Sequence, residues 1–182
     1  MTNILKTGYY IFSTIFGIAQ IIAIIGLIIW GIAKLIKLFK KNNLTKNKPL
    51  LLSVICIVIA TLSLVLNVGW IRFCMIIMLI PIIHPILFLL TNIYASKLFV
   101  DSPRLRITNY LFIATYLIFW VLLPDGGDIG PTYCLFNLVR NEVFTDVAWI
   151  VSGISGIAHI VLFIIQIIEF VKLKKESKYL TN

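Results

Sequence analysis

The sequence predicts an all-α, polytopic membrane helical bundle. Three observations predict it: 60% of the 182 residues are apolar and only 13% charged, mean hydropathy is +1.04, and five stretches nearly free of charge approach or exceed the ~20 residues a helix needs to cross a bilayer. A soluble domain averages about 45–50% apolar and ~25% charged residues, so the apolar surplus belongs in lipid. The stretches cover about 8–33, 50–70, 73–96, 107–124 and 147–171, with a loop at 125–146, and no repeat or linker divides this single domain.

The first stretch is expected to persist as a helix. Only Lys6 precedes it, its apolar run is too long for a signal peptide, and no small-residue cleavage site follows. The second runs into the short turn Asn67-Val-Gly-Trp-Ile-Arg72; if one of the helices flanking it did not cross, four spans would remain. The third carries Pro81-Ile-Ile-His-Pro85. A proline cannot donate to the carbonyl four residues back, and it pushes its predecessor out of helical geometry. Pro81 and Pro85 therefore predict a kink or break near the bilayer centre, beside His84.

The fifth stretch is the most patterned. Ser152, Ser155, Gly156, His159, Gln166 and Glu169 share one helical face, opposite Ile154, Val161, Ile165 and Ile168. That polar stripe must meet protein or water, and Ser152 with Gly156 forms a small-residue seam for close approach. Ser13, Gly17 and Gln20 of the first stretch make a candidate partner face. Gly153-Ile-Ser155-Gly156 resembles the GxSG nucleophile motif of rhomboid proteases, but His159 sits on the serine's own helix, so a packing seam is the preferred reading.

Basic residues set the orientation. Thirteen fall on one side (Lys34, Lys37, Lys40, Lys41, Lys46 and Lys48, then Lys97, Arg104 and Arg106, then Lys172, Lys174, Lys175 and Lys178) and three on the other. By the positive-inside rule the N-terminus is outside and the C-terminus cytoplasmic. The net charge of +9 is thus chiefly topological. Trp30, Trp70, Trp120 and Trp149 lie near predicted helix ends, as interfacial anchors do.

Placing each span symmetrically brings Gln20, Thr61, His84, Thr115, Tyr116 and His159 within about one turn of the midplane, at 1.5 Å per residue. Such residues either bond helices together or line a path for a proton, an ion or a ligand. Two imidazoles without further ligands make a poor zinc site, so neither metal nor cofactor is expected. Asp125-Gly-Gly-Asp128 reads as a turn in preference to a cation site. The three cysteines lie apart, two in apolar runs, and predict no disulfide framework.

No HExxH, Walker loop, CxxC pair or carboxylate dyad is present, so no enzyme is expected. A direct nucleic-acid partner is not expected either, because no soluble domain or aromatic-interleaved basic motif exists to read one. Isoleucine supplies close to a fifth of the chain and lysine outnumbers arginine twelve to four, the bias of an AT-rich, bacterial gene. The expectation is a homo-oligomeric sensor or anchor subunit of the bacterial cytoplasmic membrane. Its loop at 125–146 receives an envelope signal, and a cytosolic protein or membrane lipid docks on Lys34, Lys37, Lys40, Lys41, Lys172, Lys174 and Lys175, in phage defence or immunity. The alternative is a channel or proton-coupled transporter built on Gln20, His84 and His159.

Overall fold

The computed structural model describes residues 22, 26, 29, 30, 33, 44–67, 69–98, 102–126 and 132–179, with backbone only for 44–47 and 176–179. Its helices are α1 (Leu44–Leu66), α2 (Trp70–Ile77), α3 (Ile80–Leu98), α4 (Pro103–Leu122) and α5 (Glu142–Tyr179). All but α2 are long and apolar enough to cross a membrane. Among the described residues there is no strand, only the isolated bridges Asp125–Tyr133 and Cys134–Val139. The predicted span 8–33 lies outside the described residues save Ile22, Gly26, Ile29, Trp30 and Ala33, which are helical and exposed. Gln20, Asp128, Lys34, Lys37, Lys40 and Lys41 also lie outside them.

The helix break differs from the sequence expectation in place. It falls at Met78–Leu79, where Leu79 takes φ 60°, and not at the prolines near mid-membrane. Pro81 is the second residue of α3, where a missing N–H has no intrahelical acceptor to lose. Only Pro85 lies inside the helix. Breaking the chain before Pro81 is the cheaper solution, because a proline in the helix interior forfeits a hydrogen bond and clashes with the preceding turn. The predicted third span thus divides into α2, too short to cross, and α3. The loop after α4 is also shorter than predicted, since α5 begins at Glu142.

Other boundaries follow ordinary capping chemistry. Ser102 caps α4, its hydroxyl accepting from Leu105 N–H at 3.2 Å, and Pro103 occupies the first turn. The core joins Leu50, Ile57 and Leu64 of α1 to Phe88 and Leu89 of α3 and to Phe112, Tyr116 and Trp120 of α4. α4 packs against α1 on one side and most extensively against α5 on the other. α5 leaves Ile154, Ile157, Val161, Ile164 and Ile168 exposed, as a lipid-facing row requires.

One end of the bundle is tied by two buried charges. The Asp125 carboxylate accepts from the backbone N–H groups of Gly69 (3.2 Å), Ile71 (3.0 Å) and Arg72 (2.8 Å) at the start of α2. The Arg72 guanidinium donates to carbonyls at the ends of two other helices, Ser63 of α1 and Trp120 and Leu123 of α4, the last two at 3.1 and 2.9 Å. Each charge therefore meets the helix pole of opposite sign and satisfies groups that a helix leaves unbonded. Arg72 Nε lies 3.8 Å from Asp125 Oδ2, an ion-pair distance. Burial lowers the guanidinium to about 10, Asp125 opposing the drop, so it stays charged at neutral pH. Gly69 is required by proximity: a Cβ there would stand 2.4 Å from Asp125 Oδ1 and 2.7 Å from Gly126 N.

Removing one partner of a buried pair strands the other charge, at a cost of about 3–5 kcal/mol. Asp125→Ala is expected to lower the detergent unfolding midpoint sharply and Asp125→Asn to lower it less, since the amide oxygen still accepts from α2. Gly69→Ala should resemble Asp125→Ala. Wild-type midpoints for Asp125→Ala and Gly69→Ala would refute this role.

Candidate functional site

The break before α3 sets His84 against α4 and α5. Its Nδ1 accepts from the Trp120 indole N–H at 3.1 Å. From α5, His159 Nδ1 lies 3.1 Å from the Phe112 carbonyl oxygen and 3.3 Å from Thr115 Oγ1. The two imidazoles meet edge to face with centroids 4.9 Å apart. Phe112 stacks on His159 at 4.1 Å, and Tyr116 stacks on Phe88 at 3.8 Å while its ring lies 4.9 Å from that of His84.

The seam that allows this is local. At Gly156, three residues before His159, an added Cβ would lie 3.1 Å from the Phe119 ring, so the glycine makes room for that ring and brings α5 close to α4. The polar stripe of α5 turns inward: Ser152, Ser155, His159 and Gln166 are all buried. At Gly156 and His159 it meets α4; Ser13, Gly17 and Gln20, expected to meet it, lie outside the described residues.

The partners fix both tautomers. An indole N–H only donates and a carbonyl only accepts, so in the neutral rings His84 carries its proton on Nε2 and His159 on Nδ1. Thr115 is consistent, because its hydroxyl donates to Leu111 O at 2.9 Å and leaves oxygen lone pairs for His159. The rings line a cleft of about 130 Å³ with Leu87, Phe88, Phe112, Ile160 and Phe163.

Of the expected midplane residues, His84, His159, Thr115 and Tyr116 converge. His84 is the fifth residue of α3 and faces Trp120, near the Asp125 end of α4. Thr61 stays on its own helix, donating to Ile57 O. Pro81 and Pro85 are buried and line a void of about 10 Å³ with Thr61, Tyr116 and Trp120, about one water in size. Ser155 is buried, and the His159 Nδ1 is committed to α4, so the GxSG stretch has the geometry of a packing seam. The three cysteines are free. Among the described residues no three His, Cys, Asp or Glu side chains cluster as a metal site would.

Sequence reasoning missed several residues. Trp120 is 2% exposed and belongs to the core, not to an interfacial belt. Asn92 and Asn109 join α3 to α4 through a buried 2.8 Å hydrogen bond. At the lysine-rich end a groove of about 340 Å³ opens between α3 and α5, lined by Tyr94, Lys97, Leu98, Phe170, Val171, Leu173 and Lys174. Lys97 Nζ stands 5.1 Å above the Tyr94 ring. Comparison with protein families, with curated proteins and with solved structures found no match.

Gln166 is fully buried, yet among the described residues neither of its amide atoms has a hydrogen-bond partner. An unsatisfied buried polar group costs about 1–3 kcal/mol. Gln166→Leu is therefore expected to raise the unfolding midpoint. A fall by several degrees would show that the amide is satisfied in the membrane.

Proposed function

We propose that the chain is a membrane-embedded sensor or anchor subunit that passes a change at its Asp125 end to a soluble protein docked at its lysine-rich end. The observation that carries this reading is the groove between α3 and α5, with Tyr94, Leu98 and Phe170 among its walls and Lys97 and Lys174 at its sides. Such a groove suits an amphipathic segment that buries apolar side chains and sets carboxylates against the lysines. Lys172, Lys174 and Lys175 are exposed beside it, and the positive-inside rule puts that end in the cytosol.

α5 supplies the physical link. Its 38 residues span about 57 Å at 1.5 Å per residue, well beyond a hydrocarbon core of about 30 Å. At its first turn Thr145 accepts from Thr132 of the preceding loop at 3.0 Å. A displacement of that loop thus acts on the same rigid helix that ends in the lysines. A bacterial membrane, a role in phage defence or immunity, and self-association through the exposed isoleucine row of α5 belong to the same proposal. The second reading, a channel or proton-coupled carrier, is favoured by the paired imidazoles inside the bundle.

The test combines Lys97→Gln, Lys174→Gln, Lys175→Gln and Phe170→Ala. Recovery of a soluble partner with the purified protein should fall at least about tenfold, matching the loss of ~1.4 kcal/mol or more that a few groove contacts supply, while membrane insertion is unchanged. Undiminished recovery would overturn the docking reading. So would a variant that loses only its binding to anionic vesicles, which would assign the groove to lipid.

A further inference from the structure

We propose that the cleft between α3 and α5 is a binding site for a small hydroxylated aromatic molecule, a phenol, taken up from the membrane. This goes beyond the docking reading and concerns a different site, so either can fail without the other.

Hydrogen-bond sense is the first argument. With Nδ1 of each ring committed to α4, the only polar atom each imidazole has left is Nε2. The assigned tautomers make these atoms unlike: His84 Nε2 bears a proton and His159 Nε2 a lone pair. A hydroxyl answers both at once, its oxygen accepting from His84 and its hydrogen donated to His159. An ether offers no donor, and a hydrocarbon neither function.

Size and lining supply the second. An apolar cavity of about 150 Å³ takes up benzene, and this cleft measures about 130 Å³. Phe88, Phe112 and Phe163 offer ring faces and edges for a flat aromatic guest. The route in is lateral. Leu87 and Ile160 line the cleft and are 44% and 62% exposed, on a surface that faces lipid in a membrane-embedded bundle.

The experiment uses the whole chain in lipid nanodiscs and follows 4-fluorophenol, 4-fluoroanisole and 4-fluorotoluene by ¹⁹F NMR titration. The phenol is expected to bind about tenfold more tightly than the other two, the worth of one well-placed hydrogen-bond pair. His84→Phe and His159→Phe should each erase that preference. Ile160→Trp, a change at an exposed position, should block the mouth and abolish saturable phenol binding while preserving the unfolding midpoint. Equal affinities for the three probes, or a preference that survives both histidine replacements, would overturn the proposal. If the histidine variants do not fold, undiminished binding by Ile160→Trp would overturn it alone.

Discussion

A guanidinium buried where two helices end, and a carboxylate buried where a third begins, hold the Asp125 end of this bundle together. Helix termini present unbonded carbonyl and N–H groups, and lipid offers nothing to satisfy them. Arg72 closes the ends of α1 and α4 while Asp125 closes the start of α2. Both charges are inside the protein, each serves a helix pole, and they neutralise each other. This arrangement fixes where α2 begins, and the left-handed residue Leu79 then redirects the chain into α3. The position of His84, five residues into α3, follows from that geometry.

α4 is the element to which the other helices bond. Its carbonyls receive Arg72, its Trp120 donates to His84, and its Phe112 carbonyl and Thr115 hydroxyl hold His159. Further along, Asn109 bonds Asn92 of α3. α3 and α5 have little direct contact; they are brought to one place chiefly by what each makes with α4. Two openings result between them, the histidine cleft and the lysine-rimmed groove. Each is polar at a few points and apolar elsewhere, as sites for small ligands and peptide segments commonly are.

The bundle class was legible because hydropathy and charge act over whole segments, and four spans lie where long apolar runs lie. The polar face of α5 was legible for the same reason, since Ser152, Ser155, His159 and Gln166 repeat at helical spacing. What could not be read was pairing at long sequence separation. Asp125 stands 53 residues from Arg72, and in sequence it looks like half of an aspartate-glycine turn. Trp120 sits near a helix end and so resembles an interfacial anchor, although its indole N–H is spent on His84. The prolines misled because their effect depends on position: Pro81 in a first turn costs little, whereas the same residue in a helix interior would break it. One signal was available, since a lone arginine three residues after a glycine in an otherwise apolar stretch asks for a buried acceptor.

The opposite tautomers of the two histidines are the point on which the interior site turns, and the chain contains only these two histidines. ¹⁵N NMR of histidine-labelled protein in lipid bilayers reads them directly, with His84→Phe assigning the signals. One ring protonated on Nε2 and assigned to His84, with the other protonated on Nδ1 and assigned to His159, is the predicted result. Two rings in the same tautomer, or the reverse assignment, would contradict the account.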